Sequence, residues 1–310
     1  GLLCIIKGGD LFVDAASWIA EASGIPKFII GATVVSFATT MPEMLVSVFA
    51  ALQGNADIAV GNAVGSVTAN VGLIMCVALI CMECAMTRKQ FGVKACLLLA
   101  AILALFGFTR DGQLSVLESV LILVIFVGFL VESLIAARQE QGSELPAQEE
   151  RPKIDKKTVL LNIGKFLLGA AGIVLGAQLL IDNGSALARM LGVPDAVIAA
   201  TMIAIGTSLP ELVTTLTAIK KKQASLSVGN IIGANIMDLT LIMPLCAVIQ
   251  GKPMTVERQG MLLDIPACLI ICAAALIPAL VQGKFKRWIG YLIGGLYIAY
   301  LIIMFTCFGA

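Results

Sequence analysis

The stretch Thr39-Thr40-Met41-Pro42-Glu43 recurs 168 positions later as Thr207-Ser208-Leu209-Pro210-Glu211. At the same spacing, residues 8–75 align with residues 176–243 without a gap, and about a third of the paired positions are identical. The chain is therefore a duplicated unit. Because proline lacks a backbone N–H and clashes with the preceding turn, each copy predicts a broken helix with a glutamate directly after the break.

The composition predicts a membrane protein. Of the 310 residues, 59% are hydrophobic and 13% are charged, and the mean hydropathy is +0.99, whereas ordinary soluble domains carry about 25% charge. With 21 Lys and Arg against 20 Asp and Glu, no basic surplus for nucleic acid is present. The absence of histidine excludes Ser-His-Asp hydrolysis, Cys-His chemistry and HExxH zinc sites. Neither a prosthetic group nor an obligatory protein partner is indicated.

Apolar segments long enough to cross a bilayer, about 20 residues each, recur along the whole chain. They predict ten transmembrane helices, at residues 1–20, 28–52, 58–81, 92–108, 114–137, 158–181, 196–219, 226–249, 262–282 and 288–308. We number these as predicted spans 1 to 10. The fold expected is an all-α membrane protein.

A strongly polar segment, residues 138–157, divides the ten spans into two groups of five and contains ten charged residues. We therefore expect a first five-helix repeat over 1–137 and a second over 158–310, joined by this linker. The duplicated motifs occupy about 31–75 and 199–243. Since each repeat contains an odd number of spans, the second must enter the membrane from the opposite side, and the repeats are inverted in topology.

Basic residues orient the chain, because cytoplasmic loops are enriched in Lys and Arg. The loops after odd-numbered spans contain Lys27, Arg88, Lys89, Lys220 to Lys222, Lys284, Lys286 and Arg287, together with five basic residues in the linker. The loops after even-numbered spans contain only Arg110, Arg189, Lys252 and Arg258. Both termini are therefore predicted outside and the linker in the cytoplasm.

Most acidic residues lie in loops or near span ends, but Glu43, Glu211 and Asp238 fall inside predicted spans 2, 7 and 8. An ionisable group at the centre of a membrane helix costs about 2.5–3.5 kcal/mol even on the most lenient scale. No Lys or Arg is expected deep in any span to compensate them. Mobile cations or protons are the remaining candidates.

Oxygen-bearing side chains surround these carboxylates in the sequence. Thr39 and Thr207 lie four residues before the glutamates, so that each hydroxyl shares a helix face with a carboxylate. Polar rows at a spacing of four follow on spans 3 and 8, namely Asn62, Ser66 and Asn70, and then Asn230, Ala234 and Asp238. The GxxxG pairs Gly61/Gly65 and Gly229/Gly233 would allow these helices close contact with neighbours. Such an oxygen-only set suits a hard cation such as Ca²⁺, bound by about 6–8 oxygens, or Na⁺.

The paired motifs resemble the two alpha-repeats of the cation/Ca²⁺ exchanger superfamily, specifically its prokaryotic sodium/calcium exchangers. The residues that carry the resemblance are Gly31-Ala32-Thr33, Thr39 to Glu43, Gly61-Asn62, Gly65-Ser66 and Asn70, and then Thr201, Gly206 to Glu211, Gly229-Asn230, Gly233 and Asp238. The resemblance implies exchange of Ca²⁺ against Na⁺ across a prokaryotic plasma (inner) membrane. It also implies a central site on spans 2, 3, 7 and 8, past which spans 1 and 6 slide to alternate access.

Site residues follow from the resemblance by position. Glu43 and Glu211 correspond to the Ca²⁺ carboxylates, completed by the carbonyls of Thr39 and Thr207. The Na⁺ ligands correspond to Asn70 and Asp238, the hydroxyls of Thr39, Thr207, Ser66 and Ser208, and carbonyls near Ser36 and Ala204. The chain departs from the family pattern at Ala38, Thr40 and Ala234. Ala234 replaces a coordinating serine, which removes one candidate ligand for Na⁺.

Two alternatives stay open at this stage. An H⁺-coupled or K⁺-dependent cation/Ca²⁺ exchanger would use the same carboxylates, since the sequence does not fix the coupling ion. An intramembrane acid/base enzyme, in which two carboxyl groups share a proton, is an alternative of a different class. The second alternative would favour two aspartates without oxygen-rich rows, and it gives less reason for the duplication of Thr together with Glu.

Overall fold

The computed structural model describes residues 2–82, 86, 88–141, 155–191 and 204–307, which are almost entirely helical. The α-helices are α1 Leu2–Ser23, α2 Lys27–Ile30, α3 Ser36–Thr39, α4 Met41–Leu52, α5 Ala56–Ala69, α6 Cys76–Cys81, α7 Arg88–Phe108, α8 Val116–Gln141, α9 Lys156–Met190, α10 Ala204–Thr207, α11 Leu209–Lys220, α12 Ala224–Met237, α13 Met243–Gln250, α14 Ile265–Gln282 and α15 Arg287–Cys307. Two short strands, β1 Gln113–Leu114 and β2 Met254–Thr255, pair antiparallel with Gln113 opposite Thr255.

Seven helices among these residues are long and apolar enough to cross a membrane. The bent pair Lys27–Thr39 and Met41–Leu52 makes an eighth span if it is counted as one. The all-α membrane fold is confirmed at this level. Predicted span 7, residues 196–219, lies within the described residues only from Ala204 onward.

Two helices extend beyond their predicted ends. Helix α8 continues to Gln141, into the segment predicted as linker, and α9 continues to Met190 instead of ending near residue 181. Hydropathy marks where a chain leaves an apolar environment, whereas a helix ends only where its backbone is interrupted. The polar segment after residue 181 contains good helix formers such as Leu187 and Ala188, so α9 extends through it. At its other end, the backbone N–H of Thr158 donates to Asp155 at 3.0 Å. Hydrogen bonds from Thr158 lower the pKa of this exposed carboxyl.

Both predicted proline breaks are confirmed. Helix α3 ends at Thr39 and α4 begins at Met41, with Pro42 in its first turn and a bend of 46° between the two parts of the span. In the second repeat, α10 ends at Thr207 and α11 begins at Leu209. Proline is tolerated in a first helical turn, where its missing N–H would have no intrahelical partner.

Four π-helical segments interrupt the described spans, at Gly31–Val35, Asn70–Met75, Asp238–Ile242 and Gly260–Asp264. The second and third begin at Asn70 and Asp238, which are equivalent positions of the duplicated unit. Apolar patterning does not reveal a π turn, and these segments were not predicted. Single π turns inside α-helices frequently mark functional sites.

The described helices form two separate apolar clusters. The larger joins α2, α4, α5, α7, α8 and α12 to α15. In the smaller, α1 and α9 rest on the surface made by Ile30, Val35, Val213 and Leu226. Helix α1 packs mainly against α9, and their backbones touch: a Cβ at Gly169 would lie 2.8 Å from the carbonyl oxygen of Gly8. The two helices therefore form a paired layer beside the core.

Helix α12 lies at the centre of the core, against the first half of the broken span in the other repeat. A Cβ added at Gly229 would collide with the carbonyl oxygen of Phe28, and one added at Gly233 would collide with that of Ala32. The close contact predicted for this GxxxG pair is confirmed. Around Gly61 and Gly65 no described atom lies within 4 Å of an added Cβ.

Consecutive spans are expected to run in opposite directions, and contacts at the ends of several spans agree with this expectation. The loops after predicted spans 4 and 8 meet through the β1–β2 ribbon, and Gln250 at the end of span 8 donates to the Gly54 carbonyl after span 2, at 3.3 Å. At the opposite end, Arg88 at the start of span 4 donates to the Leu280 carbonyl at the end of span 9. Among the described residues, the ends of spans 2, 4 and 8 thus lie together, and the start of span 4 lies with the end of span 9.

Candidate cation site

The three membrane carboxylates occupy special backbone positions. Glu43 and Glu211 lie in the first turns of α4 and α11, directly after the helix breaks, and Asp238 begins the π-helical segment after α12. Each is only 1% exposed. The first turn of a helix presents backbone N–H groups and the positive end of the helix dipole, which favour a carboxylate.

These carboxylates share one electrostatic environment. The charge of Glu43 interacts with those of Glu211 and Asp238, and the last two interact with each other. None of their six oxygens has a hydrogen-bond partner among the described residues. No ion pair of the described residues includes any of them. Burying unpaired charges is costly and like charges add repulsion, so cations or protons must neutralise these groups.

One buried cation was not singled out in the sequence. Lys94, near the start of predicted span 4, is fully buried in α7. Its ammonium pairs with Glu132 of α8 and lies 5.7 Å from the centre of the Phe28 ring. A lysine near a span end can be buried when a neighbouring helix supplies a carboxylate. Because Lys94 pairs with Glu132, the three site carboxylates remain uncompensated.

Hydrogen bonds across the two repeats connect the helix breaks to the polar rows. The Thr39 hydroxyl donates to Oδ1 of Asn230 at 3.1 Å, and the Thr207 hydroxyl donates to Oδ1 of Asn62 at a longer 3.4 Å. Both contacts relate equivalent positions of the duplicated unit. The threonine hydroxyls expected at the site are therefore held by amides from the opposite repeat.

Asn70 is fixed by a residue that the sequence did not single out. Its Nδ2 donates to Oδ1 of Asn235 at 3.0 Å, and its own Oδ1 is buried without a partner among the described residues. The first repeat has Val67 at the position equivalent to Asn235. The duplicated pattern therefore gave no signal for Asn235, whereas its place one turn before Asp238 would have suggested it.

The remaining candidates are placed as follows. Ser66 and Ser208 are buried, and the Ser208 hydroxyl has no hydrogen-bond partner among the described residues. The Ser36 carbonyl already accepts the Thr40 backbone N–H at 2.8 Å and is 3.3 Å from the Thr39 hydroxyl. Ala204 begins α10. A cation bound at the Ser36 carbonyl would therefore compete with the Thr40 N–H, and with the Thr39 hydroxyl only when its proton turns away from Asn230.

Carboxylates do not form a metal centre by themselves here. Among the described residues, no group of three Asp, Glu, Cys or His side chains is arranged to hold one ion. A hard cation at this site would have to take hydroxyl, amide and backbone oxygens in addition to the carboxylates. Such a mixture of oxygen ligands is typical of Ca²⁺ sites.

A multi-span helical protein with buried, unpaired carboxylates beside broken helices belongs to the class of ion-translocating membrane proteins. The comparisons with known proteins agree. A sequence model described as "Sodium/calcium exchanger protein" matches residues 1–135 and 161–306. The chain belongs to the sodium/calcium exchanger protein family. It is a transporter and not an enzyme, which removes the acid/base enzyme alternative.

Three relatives illustrate the similarity. The sodium/calcium exchanger MaX1 of Methanosarcina acetivorans is 29% identical, over 98% of this chain and 96% of that protein. The inner membrane protein YrbG of Escherichia coli is 31% identical, over 98% of this chain and 94% of that protein. A solved structure of the sodium-calcium exchanger NCX_Mj, soaked with 2.5 mM Na⁺ and 10 mM Sr²⁺, superposes with a TM-score of 0.83 at 28% identity, covering 97% of this chain and 95% of that one.

Proposed function

We propose that the chain exchanges Ca²⁺ against Na⁺ across a prokaryotic plasma membrane, by alternating access to a site centred on Glu43 and Glu211. The observation that carries the proposal is the set of six buried carboxylate oxygens without a hydrogen-bond partner among the described residues. Two ionised glutamates balance the charge of one Ca²⁺. Neutral oxygens of the neighbouring threonines complete its coordination.

Na⁺ uses an overlapping set of ligands in this proposal. Asp238 and Asn70 begin equivalent π-helical segments, and with the hydroxyls of Thr39 and Thr207 they supply oxygens for monovalent ions. Ser66, Ser208 and carbonyls near Ser36 and Ala204 belong to the same set. Several Na⁺ ions carry more than two charges, so the third carboxylate is used when Na⁺ replaces Ca²⁺.

The architecture we assign is ten spans in two inverted five-helix repeats, with both termini outside and the linker, residues 138–157, in the cytoplasm. Three features support it: the gap-free duplication, the loop contacts that alternate between the two faces, and the bias of Lys and Arg. The name of the E. coli relative, an inner membrane protein, supports the location.

Alternating access is assigned to the layer of α1 and α9. This pair packs in the smaller apolar cluster, whose buried members from the carboxylate-bearing core are Ile30, Val35, Val213 and Leu226. Polar contacts connect α1 to the core at two points: Glu21 pairs with Lys27 at 2.9 Å, and Lys221, directly after α11, is 2.7 Å from the Asp14 carboxylate and donates to the Asp10 carbonyl at 2.8 Å. A layer attached in this way can slide without opening the larger cluster.

The test is ⁴⁵Ca²⁺ uptake into proteoliposomes loaded with Na⁺ and diluted into Na⁺-free buffer. We expect uptake that depends on the Na⁺ gradient at constant pH and without K⁺. Empty liposomes and the Glu43→Gln variant serve as controls. Uptake driven by a pH gradient, or only in the presence of K⁺, would assign H⁺ or K⁺ as coupling ion. Absence of Ca²⁺ uptake under every gradient would overturn the proposal.

A further inference from the structure

The geometry points to Asn62 and Asn230 as positioning residues that turn the Thr207 and Thr39 hydroxyl oxygens toward the transported cation and thereby favour Na⁺. The inference deepens the proposed function and rests on it. Neither amide belongs to the ligand set given above. Each lies on a polar row of one repeat and accepts a hydrogen bond from the threonine beside the helix break of the other.

The chemistry of a hydroxyl group explains why its acceptor matters. A threonine hydroxyl has one proton and two lone pairs, and only the lone pairs bind a cation. Asn230 receives the proton of Thr39 at 3.1 Å, which leaves the lone pairs for an ion. The Thr39 side chain also lies beside the Glu211 carboxylate. Without the amide, the proton would have two acceptors left, the Ser36 carbonyl at 3.3 Å and that carboxylate, and it would favour the carboxylate because hydrogen bonds to charged acceptors are stronger.

Such a redirected proton would affect the site twice. It would turn the hydroxyl away from the ion, and it would occupy an oxygen of Glu211 that now has no hydrogen-bond partner among the described residues. Ca²⁺, with two charges, attracts the carboxylates more strongly than Na⁺ does and so displaces a competing hydrogen bond more readily. Loss of the amide is therefore expected to weaken Na⁺ binding more than Ca²⁺ binding.

The two asparagines differ in how they are held. Nδ2 of Asn62 donates to the Glu43 carbonyl at 3.2 Å and to the Ser47 hydroxyl at 3.0 Å. Nδ2 of Asn230 is fully buried and has no partner among the described residues. The hydroxyl of Thr215, equivalent to Ser47, instead accepts from Ser227 at 3.1 Å. Asn230 therefore acts through its side-chain oxygen, whereas Asn62 also donates through its side-chain nitrogen. A substitution of Asn230 removes fewer hydrogen bonds and is easier to interpret.

The experiment compares Asn230→Leu with wild type in two measurements, the Na⁺ concentration that half-maximally drives ⁴⁵Ca²⁺ uptake and the Ca²⁺ dissociation constant of the purified protein by calorimetry. We expect the Na⁺ concentration to rise about tenfold and the Ca²⁺ constant to change less than about threefold. Asn230→Asp, which offers an acceptor oxygen whether ionised or protonated, should stay closer to wild type.

A double-mutant cycle with Thr39→Val separates positioning from a general structural role. If Asn230 acts through the Thr39 hydroxyl, Asn230→Leu has no further effect on Na⁺ dependence once that hydroxyl is gone. Additive losses, or equal weakening of both ions, would overturn the inference. If Asn230→Leu fails to fold, Asn62→Leu in a cycle with Thr207→Val gives the same test. A wild-type protein without Ca²⁺ uptake would instead overturn the proposed function.

Discussion

Lys221 and Asp14 form an ion pair of 2.7 Å between the end of a core helix and the middle of α1. The duplicated unit places Gln53 and Asp182 at the equivalent positions. There, Asp182 accepts a hydrogen bond from Gln178 of its own helix, at 2.8 Å. In an inverted repeat, the contact that one half makes in one state is the contact that the other half makes in the opposite state. Under the inverted architecture proposed above, the charged connection is therefore expected in one of the two access states only.

We predict that Lys221→Gln shifts the balance between the two access states. The substitution introduces the residue found at the equivalent position of the first repeat, Gln53. An exposed ion pair contributes up to about 1 kcal/mol, which corresponds to a shift of about fivefold. The measurement is the rate at which a cysteine introduced on α9 is labelled from outside, with and without Na⁺ and Ca²⁺. Lys222→Gln serves as the matched control. Equal labelling in Lys221→Gln and wild type under all ion conditions would contradict the assigned role.

Glu43→Gln and Glu211→Gln are each expected to abolish Ca²⁺ exchange without unfolding the protein. Each change removes a charge that the fold leaves unpaired, so that burial becomes less costly while the dication loses a ligand. Exchange is measured by ⁴⁵Ca²⁺ uptake, and folding by the elution profile and thermal denaturation in detergent. An exchange rate of half the wild-type value in either variant would remove that glutamate from the site.

Asp238→Asn is expected to leave Ca²⁺ affinity within about tenfold of wild type, or roughly 1.4 kcal/mol. Two glutamates already balance one Ca²⁺, and the amide keeps the shape of the carboxyl group. Exchange against Na⁺ should fall much further, because several Na⁺ ions require the third charge. Calorimetry with Ca²⁺ and flux against a Na⁺ gradient measure the two effects separately. A far larger loss of Ca²⁺ affinity would identify Asp238 as a direct Ca²⁺ ligand.

Gly169→Ala is expected to destabilise the protein, because the added methyl group would lie 2.7 Å from the backbone nitrogen of Phe12. Overpacking of this kind costs about 1–3 kcal/mol. Gly164→Ala on the same helix is the control, since no described atom lies within 4 Å of its added Cβ. Thermal denaturation in detergent should show a lower midpoint for the first variant alone. Equal midpoints would mean that α1 and α9 are not in backbone contact.

The sequence predicted the parts of the site that local chemistry determines. Pro42 and Pro210 break their helices through a missing donor, and a carboxylate in an apolar segment stands out wherever it occurs. It did not predict the π turns at Asn70 and Asp238, which leave the apolar pattern unchanged. The Lys94–Glu132 pair was missed because it depends on which helices are neighbours. The partners of Thr39 and Thr207 depend on the same tertiary information.

The contact of Gly229 and Gly233 with the carbonyl oxygens of Phe28 and Ala32 has a consequence for the history of the chain. The central helix of one half fits directly onto the backbone of the other, and each threonine is held by an amide from the opposite half. A single ancestral unit would have lacked both the surface and the amide. Under the inverted architecture proposed above, it would have had to assemble as two copies inserted in opposite directions, a pairing that joining both copies in one chain makes permanent. The two copies in one chain can differ at equivalent positions. Lys221 is equivalent to Gln53, and Asp238 is equivalent to Asn70.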